Sequence, residues 1–121
     1  MNGNLKLLIV DDEPDLLKNI SSLLKSQLRD LNLQIVEASN GRKALELVKS
    51  QDFDVVLMDV KMPEMDGLEA LAQIKSINPK IFVVIMTAHS NLQDAVQAIR
   101  EGAYDYLEKP MEPQKDRKSV V

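Results

Sequence analysis

A chain of 121 residues, 45% of them apolar, is long enough to bury one core and too short to build two. Its net charge of −4 argues against binding nucleic acid by itself, since phosphate contacts need a basic face. No run approaches the roughly 18 apolar residues that span a bilayer, no apolar stretch after Lys6 ends in a cleavage-type small residue, and the lack of cysteine excludes a disulfide framework or a thiolate zinc site. The expectation is a soluble, cytoplasmic protein without membrane contact.

Short apolar runs alternate with segments of helical period, the signature of a βα-repeating parallel sheet. Leu5-Lys6-Leu7-Leu8-Ile9-Val10 reads as a first strand and runs into Asp11-Asp12. A first helix starts at Pro14, a favoured first helical position, with Leu16, Leu17, Ile20, Leu23, Leu24 and Leu28 on one face. The second strand is expected over about 33–38, with Leu33, Ile35 and Ala38 inside. Asn40 then caps a second helix whose Ala44, Leu45 and Val48 face inward. Val55-Val56-Leu57-Met58 closes a third strand, about 54–58, and runs into Asp59. The loop from Val60 to Asp66 contains Pro63 and leads to Gly67, after which Leu68, Leu71, Ala72 and Ile74 mark the inner face of a third helix. Asn78-Pro79 is a turn. The fourth strand, about 81–86, is apolar throughout, as a strand covered on both faces would be, and runs into Thr87. A fourth helix over about 91–101 has Asn91 near its start, Ala95, Val96 and Ile99 as its inner face, and Gly102 as its stop. Tyr106-Leu107-Glu108 ends a fifth strand, about 104–108, and runs into Lys109.

The polar residues at these strand ends are the informative feature. Ligands of an open α/β sheet bind outside the carboxyl ends of its strands, and right-handed crossovers put helices on both faces. Periodicity alone does not give the strand order. An order 2-1-3-4-5 would set strands 1 and 3 about 4.8 Å apart, crowding Asp11, Asp12 and Asp59, with Lys109 reaching across a gap of about 10 Å. Taken singly, each has an ordinary explanation: acids before Pro14 suit a helix N-terminus, strands often end in threonine, and Lys109-Pro110 suits a solvated strand exit. Asp59 is harder to dismiss, because a turn acid usually sits among Gly, Asn or Ser. Together at one sheet edge they are improbable as accident. Three carboxylates in one cleft repel unless a cation intervenes, and magnesium is typically held by one or two carboxylates plus a phosphate. An ionised Asp59 could then attack phosphorus to give an acyl phosphate, with Lys109 neutralising the transferring group. No glycine-rich cradle followed by Lys-Ser or Lys-Thr exists, which excludes a nucleotide-binding loop at motif level.

Over about residues 5–110 the chain resembles the receiver domain of bacterial two-component response regulators. The resemblance rests on Asp11-Asp12, on Asp59 with the following Val60-Lys61-Met62-Pro63-Glu64-Met65-Asp66-Gly67, on Thr87-Ala88, and on Tyr106 with Lys109-Pro110. It implies a flavodoxin-like (βα)5 doubly wound, five-stranded parallel sheet of order 2-1-3-4-5. It also implies a phosphorylation switch that catalyses only its own phosphorylation and dephosphorylation. Asp59 would accept a phosphoryl group from a histidine kinase or phosphotransfer protein. Asp12, Asp59 and the Lys61 carbonyl would bind Mg2+, with Mn2+ as the alternative, and Asp11 would assist through water. Lys109 would pair with the phosphoryl group, Thr87 would move to bond it, and Tyr106 would rotate inward behind Thr87. A cis Lys109-Pro110 peptide is implied as well. Lys61 and His89, two residues beyond Asp59 and Thr87, would flank the path of attacking water.

The chain departs from that pattern at its end. Only Met111 to Val121 follow Lys109-Pro110, and Glu112 to Ser119 has no apolar face. The expectation is one receiver domain over 1–121, with 111–121 a basic tail and the fifth helix short or missing. An apolar strip left uncovered beside the first helix would favour dimers or oligomers. An output domain, attached or separate, is implied, and residues 95–107 look like receivers attached to enhancer-binding transcription activators, which implies transcription regulation. Two rival readings are an aspartyl-phosphate phosphohydrolase and a degenerate receiver used unphosphorylated as a binding module. The phosphohydrolase commonly places its second acid two residues past the nucleophile on strand 1. Here those two acids are adjacent, and the lone acid is on strand 3.

Overall fold

Apolar runs rich in Val, Ile and Leu become strands here, and the 3.6-residue patterns between them become helices that pack back onto the sheet. The computed structural model describes residues 4–62, 65, 67–88 and 92–109. In chain order the elements are β1 (Asn4–Val10), α1 (Pro14–Gln27), β2 (Asn32–Ala38), α2 (Gly41–Ser50), β3 (Val55–Asp59), α3 (Gly67–Ile77), β4 (Phe82–Ala88), α4 (Leu92–Arg100) and β5 (Asp105–Lys109). The strands form one parallel sheet in the order β2-β1-β3-β4-β5, the flavodoxin-like order that the resemblance implied. The segment expected to hold a short or missing fifth helix, residues 111–121, lies outside the described residues, as does the Lys109-Pro110 peptide.

Alternation along the strands sorts the core into two layers. Leu8, Val10, Val56, Met58, Val83 and Ile85 point to the side covered by α2, α3 and α4. Leu7, Ile9, Leu57 and Met86 point to the other side, where Leu17 and Ile20 of α1 pack. Helix α1 begins at Pro14, as expected, and buries Ser21 as well, whose hydroxyl donates to Glu37 Oε2 at 2.9 Å. Asn40 caps α2 by accepting from the Lys43 N–H at 2.8 Å, and Ala44, Leu45 and Val48 are buried. The Asn78 side chain accepts from the Lys80 N–H at 3.0 Å in the turn before β4.

Three expectations about inner faces need correction. In α3, Ala70 is buried and Ala72 is exposed. In α4, Ala95 and Ala98 are buried, whereas Val96 and Ile99 are 52% and 42% exposed. The small residues let the α4 backbone approach the sheet closely, and that turns its bulkier apolar residues outward. Strand β4 is not covered on both faces along its length: Phe82 is 53% exposed, against the edge of Tyr104 at a ring separation of 5.1 Å. Gly102 does end α4, at φ 113°, a conformation that favours glycine. The helix-4 start expected at Asn91 lies outside the described residues.

Candidate functional site

The strand ends deliver their polar residues to one edge of the sheet. Asp11 follows β1 and is held by its N–H, which donates to the Ala38 carbonyl at 3.1 Å. Asp59 is the last residue of β3 and pairs in register with Met86 of β4. Thr87 lies within β4 and is buried; Lys109 ends β5. The adjacency of β1 and β3 brings Asp11 and Asp59 together, and Lys109 reaches Asp59 from two strands away and Asp11 from three. Its ammonium nitrogen lies 2.9 Å from Asp11 Oδ2 and 3.0 Å from Asp59 Oδ2.

The chain turns sharply after Asp59. Gly67 donates its N–H to the Val60 carbonyl at 2.7 Å. A Cβ on Gly67 would stand 2.4 Å from the Asp59 carbonyl oxygen and 2.7 Å from Val60 Cα, so only glycine lets α3 start this close to the site. The Lys61 N–H donates to Asp59 Oδ1 at 3.3 Å. The other loop residues quoted for the resemblance, Pro63, Glu64 and Asp66, lie outside the described residues, as does His89.

Burial dominates the electrostatics of Asp59. Loss of water raises its carboxyl above the usual value, against the Lys109 ammonium and the Lys61 N–H, which lower it, while the Asp11 charge adds to the rise. Burial alone would pull Lys109 down, but the two carboxylates beside it outweigh that and hold its ammonium above the ordinary lysine value. The site is therefore an ion-paired cluster in which one ammonium is held between two carboxylates, one of them raised by its burial.

Carboxylate oxygens of Asp11, Asp12 and Asp59 all lie within 4.8 Å of one another, Asp12 being the exposed member. Asp11 Oδ2 is buried, and its partner is the Lys109 ammonium at 2.9 Å. A cluster of three carboxylates offering hard oxygen donors fits a divalent cation of the magnesium type. Tyr106, on β5 opposite Ile85, is 39% exposed and two register positions short of Thr87.

Sequence reading missed two members. The Glu13 carboxylate lies 3.9 Å from Lys109, and its N–H donates to Asp11 Oδ1 at 2.9 Å. Its position directly after Asp11-Asp12 was the available signal. Asp94, in the first turn of α4, pairs with the Lys61 ammonium at 3.5 Å, and no sequence pattern pointed to it.

Residues 7–120 match the response regulator receiver domain. The chain belongs to that family. It is 45% identical over 111 residues to the transcriptional regulatory protein ZraR of Escherichia coli K12, a match covering 92% of this chain and 24% of ZraR. The regulatory protein AtoC of the same organism is 41% identical, over 88% of this chain and 22% of AtoC. This receiver domain thus spans about a quarter of the length of the curated relatives it matches. A response regulator receiver domain protein from Clostridium thermocellum superposes with a TM-score of 0.80 at 34% identity, covering 96% of this chain and 98% of that one. Receiver domains of two-component systems act as signalling switches rather than as general catalysts. Among the described residues, no helix is long and apolar enough to cross a membrane.

Proposed function

We propose that the chain is a phosphorylation-activated switch, one receiver unit over residues 1–121, whose acceptor is Asp59. The observation that carries this reading is the meeting of Asp11, Asp59 and Lys109 at 2.9 and 3.0 Å on the strand-end edge of a receiver-family sheet. An Asp59 oxygen attacks the phosphorus of a histidine-kinase or phosphotransfer-protein phosphohistidine. A P–O bond to Asp59 forms as the P–N bond breaks, and the imidazole keeps the electron pair. Asp11, Asp12, Asp59 and the Lys61 carbonyl would hold Mg2+ or Mn2+, which offsets phosphoryl charge and keeps Asp59 ionised despite its burial. Lys109 stays beside the transferred group as a countercharge.

Thr87 and Tyr106 are the switch residues of this reading. A hydrogen bond to a charged group contributes about 1.5–3 kcal/mol, so one Thr87–phosphoryl bond shifts a two-state equilibrium by roughly ten- to a hundredfold. The output is control of a partner or attached domain in the cytoplasm; the names of the relatives support transcription regulation. Intact mass after treatment with a small phosphodonor and magnesium tests the proposal. Wild type is expected to gain one phosphate in magnesium and none when the metal is chelated beforehand, and Asp59→Asn none. Labelling of Asp59→Asn at the wild-type level overturns the assignment, and no labelling of wild type favours an unphosphorylated binding module.

A further inference from the structure

Lys61 touches two parts of the molecule at once. Its N–H is bonded to Asp59 Oδ1 at 3.3 Å, which fixes its backbone beside the acceptor. Its ammonium instead lies 3.5 Å from Asp94 Oδ2, in the first turn of α4. Asp94 is the more sheltered partner, its side chain 31% exposed against 66% for Lys61. Helix α4 is held to the sheet by the buried faces of Ala95 and Ala98, two of the smallest side chains available, while Val96 and Ile99 face solvent. A charge pair at its first turn adds a second tie, between this helix and the loop after β3.

We propose that Asp94 is a positioning residue for the Lys61 side chain, and that the pair ties the acceptor loop to α4 only while Asp59 is unphosphorylated. This rests on the reading of Asp59 as the acceptor. A phosphoryl group brings roughly −1.5 to −2 charges to the site. The Lys61 ammonium swings on a flexible four-carbon stem, from a backbone already hydrogen-bonded to Asp59. It can reach either anion, and a phosphoryl dianion attracts it more strongly than one partly exposed carboxylate. Phosphorylation thus withdraws the lysine from Asp94 and loosens the start of α4, a route to the helix independent of Thr87.

Hydrogen exchange of the α4 amides from Val96 to Ile99 tests the link in wild type, Asp94→Asn, Lys61→Met, the double variant and Asp94→Glu, with and without phosphodonor and magnesium. Exposed pairs of this kind correspond to a change of about two- to fivefold. Without phosphate, each single neutralising variant should speed exchange by that factor, the double variant by no more, and Asp94→Glu should restore the wild-type rate. High salt should speed exchange in wild type and leave the double variant unchanged. Phosphorylation should bring wild type to the level of Asp94→Asn. Additive effects of the two single variants, or phosphorylated wild type exchanging as slowly as before, overturn the proposal. A wild type that gains no mass refutes Asp59 as acceptor instead; the comparison of single and double variants then still decides whether the pair seats α4.

Discussion

On one face of the sheet Val10, Met58 and Ile85 lie at 0% exposure beneath α2, α3 and α4, whereas on the other Leu107 is 42% and Phe82 53% exposed. The same five strands supply both faces, so the difference lies in the helices that cover them. Among the described residues, α1 is the helix packed on the second face, and Leu24, Leu28, Leu57, Val84 and Leu107 line an apolar groove beside it. The charged site belongs to this thinner face by alternation: Leu7, Ile9 and Asp11, then Leu57 and Asp59, then Leu107 and Lys109 share one side. Thr87 continues the other side after Val83 and Ile85, and Tyr106 stands opposite Ile85. Asp59, the proposed acceptor, thus sits at the end of the open layer, and the residues proposed to read it belong to the closed one.

The largest expected contrast comes from cutting one leucine out of each layer. Leu71 of α3 is fully buried in the closed layer, and Leu71→Ala should cost about 2–5 kcal/mol by denaturant unfolding. Leu107→Ala should cost about 0.5 kcal/mol or less, because much of that side chain already meets water. A Leu107→Ala loss as large as that of Leu71→Ala would show that the second face is closed as tightly as the first, and the comparison would fail.

A smaller effect separates burial from pairing at Asp59. The Asp59 carboxyl is raised chiefly by burial, so its proton is bound more tightly in the folded chain than in the unfolded one. The stability this supplies is complete below the unfolded value near 3.8 and is lost as pH rises through the higher folded value. At neutral pH in chelator the ionised Asp59 therefore opposes folding. Asp59→Asn, which leaves Lys109 its Asp11 partner, should melt higher than wild type at pH 7. That advantage should shrink to nothing as the pH falls below about 4. A lower melting temperature for Asp59→Asn at pH 7 would mean that the Lys109 pair outweighs the cost of burial.

These two layers also show what the sequence carried. The existence of nine elements was legible, because 2.0 and 3.6 residue periods follow directly from which faces must be buried. The strand order was not, since period is silent about neighbours; it came from the resemblance carried by Asp59, Thr87 and Lys109. The strand-end grouping of Asp11, Asp59 and Lys109 was legible once that order was assumed. Inner faces failed where size misled: Val96 and Ile99 outrank alanine in hydrophobicity, yet close approach of α4 selects Ala95 and Ala98. Glu13 was signalled only by its place directly after Asp11-Asp12, and the Lys61–Asp94 pair was invisible because partners of exposed charges depend on side-chain reach, which leaves no period in the sequence.

The smallest predicted effect tests that last correction directly. If α4 seats through its alanines, its bulkier apolar residues contribute little to folding, whatever their hydrophobicity. Val96→Ser and Ile99→Ser should each change stability by no more than about 0.5 kcal/mol, the range of ordinary surface substitutions. Chemical unfolding at low protein concentration reads this without interference from association. A cost of about 2 kcal/mol at either position, as for a core truncation, would place that residue inside, rotate α4 about its axis, and make the closed layer less closed than the alanines imply.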